Sequence, residues 1–274
     1  MTQLSPFDWP QWALMWTMAV AIYISCKWLT WQHAARSSRP RWKHAAFLLG
    51  WPGMDATSFL GERPIAQCLP CRSREWFVAA GHLTSGVVLL FAMARMIPPQ
   101  HPYVVGWIGM IGIVLILHFG VFHLLSCLWR WAGLEARPLM NRPLTSTSLG
   151  EFWGRRWNTA FRDVTHRFLF RPSASWFGPR WGTVVGFLFS GAVHDLVISV
   201  PARGGYGGPT LFFLIQGVAV VIERSRFGHQ MGLGNGWSGR LFAAAVLIAP
   251  VGLLFHRPFV VGVIVPFMRA LGAL

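Results

Sequence analysis

Long apolar runs alternate along the chain with short polar links, and most runs exceed the length of a β-strand. A helix crosses a bilayer with about 20 apolar residues. By that measure residues 11–29, 76–97, 103–129, 181–200, 209–223, 241–256 and 259–273 are expected spans. Residues 44–60 are also apolar, but Trp51-Pro52-Gly53-Met54-Asp55 interrupts them. Proline and glycine break a helix and a carboxylate does not suit hydrocarbon, so a re-entrant or interfacial segment is expected there. Residues 130–180 are polar and arginine-rich. Within them Ser148 stands three residues before Glu151, the spacing of a capping box, which predicts a helix carrying Phe152 to Asn158. Its mixed basic and aromatic residues describe an amphipathic helix on the cytoplasmic surface. The pattern as a whole predicts an all-α polytopic membrane protein. It is a bundle of about seven (6–9) transmembrane helices with a re-entrant or interfacial segment, and residues 1–274 form one domain.

Composition agrees. Of 274 residues 54% are hydrophobic and 12% charged, against about 25% charged in soluble domains. The formal net charge of +15 would point to nucleic acid in a soluble protein. Here the arginines cluster in alternate links, which matches the positive-inside rule and binding to anionic membrane lipids, and no nucleic acid is expected. Counting them places the N-terminus outside and the C-terminus in the cytoplasm. The 16 tryptophans fit interfacial belts. The first run lacks a basic leader and a small-residue cleavage site, so it is expected to be retained. The compact, arginine-rich form leads us to expect a multi-pass protein of a bacterial cytoplasmic membrane.

Cysteine adds little. Cys26 and Cys127 fall in apolar runs, and Cys68 and Cys71 form a single CxxC. A structural zinc site needs about four ligands, so free thiols and no metal are expected. His118 and His123 lie about 500° apart around a helix and do not share a face. They suit hydrogen bonding or a polar cavity better than haem ligation.

The chemistry concentrates in two stretches. Phe189-Ser190-Gly191-Ala192-Val193-His194-Asp195 puts an imidazole and a carboxylate inside an apolar span, where ionisable groups are costly and mark function. Histidine is the usual general base near neutral pH. Asp195 is about 100° further round the helix, free to pair elsewhere. The other stretch, Ser148-Leu149-Gly150-Glu151-Phe152-Trp153-Gly154-Arg155-Arg156-Trp157-Asn158, offers an amide suited to an oxyanion at Asn158. It also offers forked donors for phosphate at Arg155 and Arg156, with Trp153 and Trp157 beside them to stack on a base. Simpler alternatives are a histidine packed between helices and arginines resting on lipid headgroups. Glu223 is expected to pair locally with Arg224.

Together these stretches resemble the membrane-bound O-acyltransferase superfamily, and within it the wax-synthase-like branch. Pro52-Gly53-Met54-Asp55 and the His118-Phe119-Gly120 to His123-Leu124-Leu125-Ser126 stretch are similar to that branch as well. The resemblance implies an acyl-CoA co-substrate, no other cofactor, a hydroxyl-bearing acceptor and a cavity through the bilayer. The acceptor would be a long-chain alcohol of the wax-ester type, or another lipid or natural-product alcohol. The resemblance implies catalysis by His194 with Asn158 as its partner. Arg155, Arg156, Trp153, Trp157, Asp195 and Ser190 are expected around the substrates, with residues 145–200 as the core motif region. Asp195 stands where relatives often carry glutamate, and the chain is shorter than many members. Two other readings use the same groups. One is a non-catalytic lipid-handling protein or transporter. The other is a haem protein using His82, His118, His123 or His194, which a Soret band would reveal.

Overall fold

The computed structural model describes residues 9–34, 40–61 and 71–274. Cys68 of the CxxC, and Arg36, Arg39 and Arg63 of the arginine count, lie outside the described residues. In chain order the helices are α1 (Gln11–Ala34), α2 (41–50), α3 (Ala56–Leu60), α4 (Ser73–Met96), α5 (Pro102–Trp131), α6 (149–156) and α7 (159–177). They continue with α8 (Pro179–Ala202), α9 (Gly208–Glu223), α10 (Arg226–Gln230), α11 (Gly236–Leu254) and α12 (257–270). There is no strand among the described residues.

Five helices, α1, α4, α5, α8 and α11, are long and apolar enough to cross a membrane. The remaining two expected spans are shorter. α9 has 16 residues, about 24 Å of helix against a hydrocarbon core of about 30 Å. Its buried residues, Phe212, Phe213, Gln216 and Val220 among them, pack into the bundle, while Leu211, Val218 and Ile222 form an exposed apolar stripe on another face. α12 is central. Val260, Val263 and Met268 are fully buried, and α12 packs on the first half of α5.

The break at Trp51-Pro52-Gly53 falls between α2 and α3, and the carbonyls of Gly50, Trp51 and Gly53 are answered by side chains. Buried carbonyls must find donors where water is scarce. Trp129 Nε1 donates to the Gly50 carbonyl at 2.9 Å. Tyr23 Oη and Lys27 Nζ donate to that of Trp51 at 3.3 and 2.6 Å. Lys27 also reaches the Gly53 carbonyl and lies 3.4 Å from the Phe47 ring centroid. A lysine inside the first span is thus a tie between α1 and the α2–α3 segment. Asp55, which does not suit hydrocarbon, is exposed and caps α3 by accepting from Ser58 N at 3.0 Å.

α8 and α9 pack antiparallel and carry the site. Their close approach requires Gly191, since a Cβ there would stand 2.7 Å from Thr210 Cα. Several of the long helices contain a wider i→i+5 turn, and two of these turns bracket the chemistry: Leu115–Val121 includes His118, and Asp195–Ser199 begins immediately after His194. Such turns recur at functional sites.

Candidate active site

His194 sits in the middle of α8 with Nδ1 2.7 Å from the Ser190 carbonyl. A carbonyl only accepts, so Nδ1 carries the proton and Nε2 keeps its lone pair. Phe213 of α9 lies 4.4 Å away between ring centroids, and Phe161 of α7 stands edge-on at 6.4 Å. The imidazole is therefore fixed in tautomer by its own helix and in orientation by two aromatic rings.

His194, Asn158 and Phe161 line two cavities at once. The first, of about 410 Å³, runs from His194 past Ser190, Trp153 and Trp157 to a basic rim of Arg155, Arg162, His166 and Arg224. The second, of about 310 Å³, is mainly apolar, with Met54, Leu139 and Val197 in its wall beside Tyr23 and His118. His118 Nδ1 is buried without a hydrogen-bond partner, while its ring meets Phe122 edge-on. His123 instead faces Glu75 at 3.5 Å, so the two histidines do diverge.

The capping box forms with a shift of one residue. Ser148 Oγ accepts from Glu151 N at 3.0 Å, but Glu151 reaches back to Thr147 N at 2.8 Å rather than to Ser148. The Thr147 backbone bond, together with Arg156, holds the Glu151 carboxyl below its ordinary value. Glu223 does not pair with Arg224 as expected. Its two oxygens accept from Leu149 N at 2.6 Å and Gly150 N at 3.0 Å, which caps α6 from α9. A Cβ at position 150 would lie 2.9 Å from that carboxylate, so the motif needs its glycine.

The predicted helix does not run on to Asn158. It stops at Arg156, Trp157 is extended, and Asn158 takes a left-handed conformation at φ 41°. Asparagine is among the few non-glycine residues that visit this region readily. Its Oδ1 accepts from Phe161 N at 3.3 Å and so caps α7. With Oδ1 engaged, the Nδ2 amide is the group left to donate. Trp153 Nε1 bonds Gln216 Oε1 at 3.3 Å, and Gln216 passes on to the Val246 carbonyl at 2.8 Å, locking α6, α9 and α11 together.

Two expected substrate contacts belong elsewhere. Arg156 bonds Glu151 at 2.6 Å, Thr145 Oγ1 at 2.7 Å and the carbonyls of Asn141 and Arg142, so its guanidinium is occupied in holding the 141–145 loop. Asp195 lines neither cavity. It accepts from Ser199 Oγ at 2.7 Å, Gly207 N at 2.9 Å, Thr210 N at 3.1 Å and the Thr210 hydroxyl. It caps α9, the helix that presents Phe213 to His194. Conversely, Arg162, His166 and Arg224 line the first cavity, although sequence reasoning gave them no substrate role, while His118 lines the second, in keeping with the polar-cavity position the sequence allowed it. Arg162 has its Nε buried and unpartnered while NH1 holds Asp163 at 2.9 Å. Partial burial and the charges of Arg171 and Arg162 lower the His166 pKa, which leaves that ring neutral near pH 7. The three rim residues carry no local motif; the signal was only their place in a basic segment.

A bundle of long apolar helices around such a site defines an integral, multi-pass membrane protein. Residues 136–215 match the sequence model of the membrane bound O-acyl transferase family. Among curated proteins, it is similar to the probable long-chain-alcohol O-fatty-acyltransferase 9 of Arabidopsis thaliana. The two are 30% identical over 141 residues, 47% of this chain and 41% of that protein. The acyl-CoA–sterol O-acyltransferase 1 of Arabidopsis thaliana is 33% identical over 98 residues, 33% of this chain and 28% of its own length. The long-chain-alcohol O-fatty-acyltransferase of Simmondsia chinensis is 33% identical over 100 residues, again 33% of this chain and 28% of that protein. The match thus spans well under half of these relatives. They are plant proteins and lend no support to the expected bacterial source. No solved structure matches.

Proposed function

We propose that the protein is an acyl-CoA:alcohol O-acyltransferase with His194 as its general base. The observation that carries this reading is the place of His194, with Nε2 free, where two cavities meet. The basic rim of the first cavity suits the phosphates of CoA, with Arg155, Arg162 and Arg224 as donors. Arg156, bound to Glu151 and Thr145, is left out of that set. The apolar second cavity suits the acceptor, a long-chain alcohol or sterol by analogy with the named relatives, with His118 available to its hydroxyl.

His194 Nε2 takes the hydroxyl proton as the acceptor oxygen bonds to the thioester carbonyl carbon. Asn158 Nδ2 donates to the oxyanion so formed. The tetrahedral adduct expels the CoA sulfur, which leaves with the proton held by His194, and the ester remains. Donor and acceptor held on either side of one base react by proximity, so no acyl-enzyme is required. The membrane orientation that goes with this scheme puts the basic rim toward the cytoplasm, where acyl-CoA is made.

Thiol release from a panel of acyl-CoAs, with and without long-chain alcohols and sterols, tests the scheme on purified protein. Acceptor-dependent CoA release that falls at least about 100-fold in His194→Ala is expected, given the usual contribution of a general base. Full release by that variant would overturn the mechanism. Binding of acyl-CoA without release, for every acceptor class, would favour a handling protein.

A further inference from the structure

Outside the walls of the two cavities, the contact between the start of α4 and the end of α5 gathers donors that acyl transfer leaves unused. Cys71 lies just before α4, Glu75 in its first turn, and Cys127 near the end of α5. Their sulfur and carboxylate oxygen atoms all lie within 4.8 Å of one another. Cys127 is fully buried and Cys71 half-buried. Tetrahedral zinc, with Zn–S bonds near 2.3 Å, puts two thiolate sulfurs about 3.8 Å apart. The set therefore has to contract by about 1 Å at most. One thiol comes from each side of a helix–helix contact, and the carboxylate is already fixed in place. Glu75 Oε1 accepts from Arg72 N at 3.2 Å, and Oε2 accepts from Arg130 at 2.6 Å.

The charges also close. Two thiolates and Glu75 carry three negative charges, and Arg130 with a divalent ion carries three positive ones. A neutral cluster is the form that partly buried ions tolerate. His123 stands one turn before Cys127 on the same face of α5. Its Nε2 is buried without a hydrogen-bond partner, 3.5 Å from Glu75 Oε2.

We propose that Cys71, Glu75 and Cys127 bind one divalent metal ion of the zinc class, with His123 as the nearest donor for a fourth position. Binding releases the two thiol protons to solvent and clamps the start of α4 to the end of α5. Thiolate ligands select zinc-like ions over magnesium or calcium, so the site differs in kind from a phosphate-bound magnesium. It stands independently of the acyl-transfer reading.

The test uses the full-length protein in detergent, reduced, loaded with zinc and dialysed, with metal counted by elemental mass spectrometry. About one zinc per chain is expected, retained by Cys26→Ser and lost by Cys71→Ser and by Cys127→Ser. Zinc should slow maleimide labelling of Cys71 and Cys127 at least about tenfold, a chelator should reverse this, and magnesium should not mimic it. Because Cys127 is buried and its variant can misfold, the labelling of wild type and the half-exposed Cys71→Ser variant decide the matter. Wild type that holds no zinc, a Cys71→Ser/Cys127→Ser double variant that holds as much as wild type, or a Cys71–Cys127 disulfide as the resting state would each overturn the proposal.

Discussion

Asn158 does two things that mutation can separate. It holds a left-handed backbone and caps α7 through Oδ1, and it points an amide at the junction of the cavities. Asn158→Gly keeps the backbone conformation at little cost, since glycine enters the left-handed region freely. It should retain most of the stability while losing about 10²–10³ in turnover, the usual loss for an oxyanion donor. Thermal melting and CoA release on the same preparation check both halves. The arginine pair separates in the same way. Arg155 is exposed on the rim, so Arg155→Ala should raise the KM for acyl-CoA several-fold and leave the melting temperature unchanged. Arg156 closes the 141–145 loop, so Arg156→Ala should lower the melting temperature with the KM nearly intact. Sequence could not tell these neighbours apart. Their chemistry is identical, and only the folding of α6 against the 141–145 loop, which brings Glu151 and Thr145 to one guanidinium, decides which of the two is free.

At the scale of helices, the caps cross between elements. Asp195 of α8 caps α9, and Glu223 of α9 caps α6. The aromatic and the base of the site are therefore tied into one chain of helix ends. Asp195→Ala leaves Gly207 N and Thr210 N without that acceptor and should cost about 1–2 kcal/mol. It should also lower turnover by freeing Phe213 from its place against His194, and Asp195→Glu should rescue only in part, since the longer side chain must recoil to reach the same donors. Denaturant melts beside the CoA assay measure this. Long periodic runs made α1, α4, α5 and α8 legible in the sequence, and serine three residues before glutamate located the start of α6. The end of α6 was not legible, because a left-handed asparagine is chosen by the packing of α7 and leaves no periodic trace. The central position of α12 was equally hidden. Its residues are as apolar as those of a lipid-facing span, and only packing shows that Val260, Val263 and Met268 are fully buried.

Across the whole molecule, polar groups hold apolar helices together at a few points, and each responds to conditions. Glu151 has its carboxyl held below the ordinary value of 4.5 by the Thr147 backbone and Arg156. The contribution of this clamp is complete above the ordinary value and is lost as the pH falls below it and through the lower folded-state value. Melting temperature should accordingly fall on acidification below about pH 4.5, and less so in Glu151→Gln, which lacks the titrating group. Lys27 ties α1 to the break between α2 and α3 through two carbonyls. Lys27→Met keeps the packing volume but orphans the Gly53 carbonyl and leaves that of Trp51 to Tyr23 alone, and it should cost about 1–3 kcal/mol by denaturant melts. The two cavities, finally, share a single waist at His194, Asn158 and Phe161. A shared waist makes each substrate a potential plug for the other. A short acyl tail, its carbonyl held at the waist, fills little space and leaves room for the alcohol. A tail long enough to thread through competes for the alcohol's own seat, so excess donor should begin to inhibit above a threshold chain length. Under the proposed acyl transfer, widening the waist at Phe161 should move that threshold, which turns one aromatic ring into a measuring stick for tail length.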